Sequence, residues 1–306
     1  MMLLAAIMAL TAQAIPPWSH AANNPAGDKG YQFPVRDIDN VPDLHGNPAG
    51  AKLVLFIGGN QFFVLPQLIA GFEARHPELR GYIFYETLPP GILRKQMANH
   101  NTLTLGNMTL QVQPDIYAAG ARVVDAMQQN HEVERSVHYA TSDLEIMVAA
   151  GNPKAIRSLS DLGRVGVRLS MPNPQWEGVA RQIGDSLRKT GGEDLYKMVY
   201  QTKVSDGSAV LTQIHHRQTP MRILDGKADA GVVWSSEVRF QEKIGNPITG
   251  VKIPPDHNTV ATYAAGVLSS AVHKAAARAW MVYLQSPEAQ AIYRQLGFQP
   301  VQGAQK

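Results

Sequence analysis

His215, His216 and Arg217 stand in a row, followed by Gln218, inside the stretch GSAVLTQIHHRQTPMRILDGKADAGVVWSSE (207–237). An arginine keeps its charge at any physiological pH and presents a planar fork of donors. A histidine near neutrality can donate, accept or carry charge. Such a cluster suits capture of an anion through charge-assisted hydrogen bonds. The plainer alternative is a helix end with polar caps. Adjacent helical residues diverge by about 100°, so only one of the two histidines can face a cleft. A metal is another option, with Glu177 or Glu86 joining, but the chain has neither H-x-x-x-H nor H-E-x-x-H to pair ligands on one helix face.

Covalent chemistry has less support. Ser235-Ser236 near His216 is the one nucleophile and base pair to name, and G-x-S-x-G, Walker A and post-strand G-x-G-x-x-G motifs are missing. The stretch points to binding and not to an enzyme, and no cofactor is implied. Trp176 and Trp234 could stack on an organic ligand, although a lone Trp more often packs in a core. Trp280, Tyr283 and Tyr293 sit at helical spacing and read as packing. Asp143, Glu145 and Asp161 read as solvated or capping charges.

The elements that position these residues follow from periodicity. Asp206, Gly207 and Ser208 supply a turn, and Val210, Leu211, Ile214, Met221 and Ile223 are apolar positions of helical pieces ended by Gly226. Residues 230–234 form a short buried strand with Trp234, Ser235, Ser236 and Glu237 at its carboxyl end, where open α/β sheets place ligand-facing groups. Upstream, a strand at 52–57 runs into Gly58-Gly59-Asn60, a helix at 61–75 stops at His76-Pro77, and a strand covers 81–85. The turn 86–91 follows, then a helix at 92–98 and a strand at 115–119. This alternation specifies an α/β fold with parallel strands. Both strand–helix turns can aim backbone amides at an anion. Further on come strands at 144–150, 165–169 and 262–268. Helical segments fall at 158–162, from about 177 to Gly191-Gly192, at 275–284 and from Pro287 to about 296.

At 306 residues and 44% hydrophobic content the chain can bury two moderate cores. The net charge of +3 comes without a Lys/Arg block, which argues against nucleic acid. There is no cysteine, which rules out disulfides and thiolate metal sites. Residues 1–14, MMLLAAIMALTAQA, are apolar and end in an A-x-A pattern, so we expect a signal peptide cut after Ala14 and a periplasmic location. Residues 15–49, rich in Pro, Gly, Asn and Asp, read as an extended tail or surface strap.

Three segments add a resemblance: ATSDLEIMVAAGNPKAIRSLSDLG (140–163), DGKADAGVVWSSEV (225–238) and SPEAQAIYRQLGFQPV (286–301). In order and spacing the chain resembles, over residues 50–301, the periplasmic molybdate-binding proteins of ABC importers, within the type II solute-binding class. The resemblance implies two doubly wound α/β lobes joined by two crossing strands. Lobe 1 would be 50–143 plus 269–306, and lobe 2 would be 144–268. It also implies a monomer that captures a small anion, a molybdate- or tungstate-like oxyanion, and hands it to the transmembrane permease. An organic carboxylate or divalent metal as ligand, or a role in sensing beside a sensor kinase, stay open.

The family holds its oxyanion by Ser hydroxyls in the first two turns, by backbone amides and by a Tyr from lobe 2. Here those positions read Gly59, Asn60 and Gln61, then Thr87 to Gly91. Across the cleft stand Trp176 and Glu177, His216 and Arg217, and Trp234 at the Tyr position. Asn60 and Thr87 would replace the Ser hydroxyls, and His216 and Trp234 would close from the other lobe. Glu177 would have to turn outward or stay protonated beside a dianion.

Overall fold

Leu53–Ile57 is an unbroken apolar run in which every residue is buried. A strand without alternation is covered on both faces, which places it mid-sheet. The computed structural model describes residues 30–31, 43–105 and 108–301 and puts this run at the centre of a seven-stranded sheet. The expected signal peptide lies outside the described residues.

In chain order the elements are β1 (Gly30–Tyr31), β2 (Leu44–His45), β3 (Leu53–Ile57), α1 (Leu65–Arg75), β4 (Ile83–Glu86) and α2 (Pro90–Ala98). Next come β5 (Thr102–Leu105), β6 (Met108–Gln111), β7 (Ile116–Gly120), α3 (Ala121–Gln129), β8 (Val133–Ser142) and β9 (Leu144–Ala149). These lead to β10 (Leu169–Met171), α4 (Val179–Lys197), α5 (Lys203–Ser205), β11 (Ala209–Leu211), α6 (Gln218–Leu224) and β12 (Ala230–Trp234). The chain continues through α7 (Ser235–Lys243), β13 (Ile248–Lys252), β14 (Ala261–Leu268), α8 (Lys274–Leu284) and α9 (Pro287–Gln295).

The first sheet has the order β1-β2-β4-β3-β7-β14-β8 and the second β11-β10-β12-β9-β13, while β5 and β6 form a separate hairpin. The fold is thus two-lobed α/β. Each sheet has a block of three parallel strands, β4-β3-β7 mid-sheet in one and β11-β10-β12 at one side of the other, with antiparallel strands beside it. The antiparallel pairs have a simple origin. The chain leaves the first sheet along β8, turns at Asp143 and enters the second as β9. It returns along β13, residues 253–260 and β14, so outgoing and returning strands run opposite ways in both sheets. Asn258 fastens the two crossings: its Oδ1 accepts from Leu144 N at 3.1 Å and its Nδ2 donates to Leu144 O at 2.9 Å.

Local rules account for the ends. Pro66 in the first turn suits the start of α1. Ser286 Oγ accepts from Ala289 N ahead of Pro287 in α9, and Asp161 closes a capping box with Ser158. Trp280, Tyr283 and Tyr293 are buried, as helical spacing predicts.

Four expectations change. Residues 210–211 are strand, not helix, because Val210 and Leu211 pair with Ser170 and Met171 of β10. The strand at 165–169 begins only at Leu169, since Gly166 turns at φ +77° and leaves Val165 exposed. Helix α4 passes Gly191-Gly192 with a kink and runs on to Lys197. Residues 43–45 are not a strap: Asp43, Leu44 and His45 are 0–1% exposed, and β2 pairs with β4. In addition β14, expected in the span of lobe 2, pairs with β7 and β8 in the first sheet.

Candidate functional site

Carboxyl ends of parallel strands are where open α/β sheets bind ligands. Six such ends, those of β3, β4 and β7 and of β10, β11 and β12, converge on the junction between the sheets. A cleft of about 560 Å³ opens there. Gly58, Gly59, Asn60, Pro89 and Pro90 line it from the first two turns, and Gly120 to Val123 from the start of α3. The facing wall brings Glu177 to Val179, Arg181, Gln182 and Asp185 around the start of α4, with His215, His216 and Trp234. The crossing segment 259–263 forms the remaining side.

Arg122 and Arg181 stand on opposite walls, each in the first turn of its helix. The first N–H groups of a helix have no intrahelical acceptor and carry partial positive charge, so each arginine adds to a field of its own sign. Both side chains are exposed to the cleft, and neither enters an ion pair among the described residues. Two acids share that wall, Glu177 and, one turn beyond Arg181, Asp185, which lies 3.9 Å from Arg188. Sequence reading missed both arginines. The signal was present: Arg122 stands two residues past the end of the third strand, and Arg181 sits one helical turn after Glu177.

His216 and Glu177 form a buried pair. Glu177 Oε2 lies 2.5 Å from His216 Nδ1 and accepts from His216 N at 2.6 Å. Its Oε1 accepts from Asn173 N at 2.9 Å and from the Thr212 hydroxyl. Burial alone would raise the Glu177 carboxyl, but His216, Thr212 and Asn173 outweigh it and hold it below the usual carboxylate range. Burial likewise opposes charge on His216, yet Glu237, 2.8 Å from Nε2, and Glu177 push its pKa up to about 10. Glu177 is therefore neither outward nor protonated; its charge is matched inside lobe 2.

Arg217 is 1% exposed and does not line the cleft. Its guanidinium donates to Gly59 O at 2.7 Å, to Thr87 O at 2.8 Å and to Asp43 Oδ1 at 3.1 Å. Asp43 Oδ2 lies 3.0 Å from His215 Nε2, and the Thr87 hydroxyl donates to Asp43 Oδ1. Desolvation pushes the Asp43 carboxyl up, against the pull of Arg217 and Thr87. This cluster ties the lobes together. Glycine is needed beside it, since a Cβ on Gly59 would fall 2.6 Å from the His215 ring.

Of the expected residues, Gly59, Asn60, Glu177, His216 and Trp234 line the cleft. Asn60 Nδ2 donates to the Tyr263 hydroxyl at 2.7 Å, and Trp234 meets the Tyr263 ring edge-on at 5.8 Å. The other five are placed elsewhere. Gln61 is buried and bonds the hydroxyls of Tyr139 and Tyr293. Thr87 is buried with Asp43, and Gly91 N donates to Trp176 O at 3.2 Å, so Gly91 and Trp176 form a contact between lobes. Glu86, considered for a metal, is buried against Gln96, and no set of three His, Asp or Glu side chains suited to a metal occurs among the described residues. Ser235 donates to Asp143 and not to His216. Glu145, expected in solvent, is buried and pairs with Lys252 at 2.8 Å.

A family profile described as bacterial extracellular solute-binding protein matches residues 53–299. A molybdate-binding protein of Mycobacterium tuberculosis is 29% identical over 163 residues, 53% of this chain and 55% of that protein. The chain thus spans about half the length of the curated relatives it matches. Among solved structures, a sulfate-binding protein of M. tuberculosis superposes with a TM-score of 0.66 at 20% identity, covering 82% of this chain and 87% of that one. The periplasmic molybdate-binding protein of Azotobacter vinelandii gives 0.62 at 16% identity, covering 82% and 100%.

Proposed function

The chain belongs to the bacterial extracellular solute-binding proteins, and on that premise we propose that it captures a small anion between its lobes as the monomeric receptor of an ABC importer. The observation that carries this reading is the pair Arg122 and Arg181, facing one cleft from opposite lobes without ion-pair partners among the described residues. The cleft walls carry Arg122, Arg181 and a charged His216 against Glu177 and Asp185, an excess of positive charge that attracts anions. Similarity to a molybdate-binding and a sulfate-binding protein supports the same sign of ligand. On sheet pairing, the lobes divide as 43–143 with 261–301 and 144–260.

Anions that bind the closed cleft should raise the melting temperature by mass action, while sodium or magnesium at equal ionic strength should not. Titration with molybdate, tungstate, sulfate, phosphate and carboxylates on wild type and on Arg122→Gln/Arg181→Gln tests the reading. Anion binding unaffected by the double substitution would sink it. Export is part of the proposal, and N-terminal sequencing of protein from the periplasmic fraction should begin at Ile15; a periplasmic chain that retains MMLLAAI would refute the cleavage site.

A further inference from the structure

We infer that the ligand is an organic dianion, a short carbon body with an anionic group at each end, rather than a bare tetrahedral oxyanion. This rests on the anion-receptor reading above and narrows it.

A tetrahedral oxyanion has no body to grip, so its recognition depends on hydrogen-bond donors converging from several sides. The second turn cannot supply them. Its cleft-facing residues are Pro89 and Pro90, which carry no N–H. The next amide, Gly91 N, already donates to Trp176 O, and the Thr87 hydroxyl donates to Asp43. The main-chain groups that point between the first and second turns are the Gly59 and Thr87 carbonyl oxygens, both acceptors, and the Arg217 guanidinium fills that place. The chain has put its own cation between those turns.

The other donors of the cleft sit apart: the Gly59 and Asn60 amides of the first turn and, on opposite walls, the starts of α3 and α4 with their arginines. Arg122 and Arg181 come from different lobes, and the hydroxyl of Tyr263 accepts from Asn60 and keeps its own hydrogen to donate. Between them the surface is apolar: the Trp234 and Tyr263 rings meet edge-on, and Val260 is 63% exposed in the cleft. At about 560 Å³ the space lies within the roughly 300–1,000 Å³ typical of sites for organic molecules. A carbon body covers Val260 and the rings while its two anionic ends reach the two arginines.

The test is calorimetric titration of the full chain at low salt with succinate and glutarate against phosphate, sulfate and molybdate. At least one organic dianion should bind about tenfold or more tightly than every inorganic anion. Arg122→Gln and Arg181→Gln should each weaken it by about tenfold or more, with the melting temperature of the ligand-free protein unchanged. If an inorganic anion binds more tightly than both organic ones, this inference fails and the anion-receptor reading survives. Binding of an organic dianion that is lost in one arginine variant but untouched in the other refutes the two-ended arrangement. If none of the five binds to folded protein, both readings fall.

Discussion

Arg217 and Asp43 lie 3.1 Å apart across the junction between the two lobes, each 1% exposed. Their chain separation is 174 residues, so the pair joins the loop after β11 in the second sheet to the start of β2 in the first. Removing one partner of a buried pair leaves the other desolvated without compensation, at about 3–5 kcal/mol. Arg217→Met should lower the denaturant midpoint accordingly, because the Gly59 and Thr87 carbonyls also lose their donor. Arg217→Met combined with Asp43→Asn should cost less than the sum of the two single substitutions. A loss below about 1 kcal/mol for Arg217→Met would show that the pair is not a structural tie.

His216 makes a pH prediction. Its folded pKa of about 10 lies above the ordinary 6.5, so its contribution is fully present below pH 6.5 and is lost as pH rises through about 10. Glu177 is held below its ordinary 4.5, so its share is present above pH 4.5 and is lost as pH falls through the depressed value. The pair therefore stabilises most between about pH 4.5 and 6.5, on the order of a few kcal/mol. His216→Gln should widen the gap in melting temperature from wild type most near pH 6, and the gap should close toward pH 10. A gap that grows with pH would contradict a charged His216.

What was legible in the sequence was local. The run 53–57, the Gly58-Gly59 turn, His76-Pro77 and the Ser286-Pro287 start each carry their own period or punctuation, and they became elements near the expected places. Val210 and Leu211 failed because two apolar residues fit either period, and pairing with β10 decides. Asp43 to His45 failed because nothing in a Pro- and Gly-rich stretch announces that a distant strand edge will bury it. In the site, residue type was read correctly at Arg217 and Glu177, but role was not. An arginine serves a ligand or the main chain according to which acceptors the fold brings within 3 Å, and here those are the Gly59 and Thr87 carbonyls. Arg122 and Arg181 became candidates only once the ends of β7 and the start of α4 were seen to open on one cleft.

Gly91 provides the test of whether this close approach of the lobes is the binding form. A Cβ on Gly91 would lie 2.8 Å from both Cα and O of Trp176, main-chain atoms that cannot rotate away. Alanine there is compatible with the first turn of α2, so lobe 1 itself should fold normally. The contact can be relieved only by moving the lobes apart, which also breaks the bond from Gly91 N to Trp176 O. Gly91→Ala should therefore enlarge the radius of gyration in solution scattering with ligand bound. It should weaken the anion by about tenfold, since Arg122 and Arg181 would no longer close on it together. The melting temperature of the ligand-free protein should also fall, because parting the lobes strains the bonds from Arg217 to Gly59, Thr87 and Asp43. If affinity and radius both match wild type, the Gly91–Trp176 approach has no part in closure on the ligand.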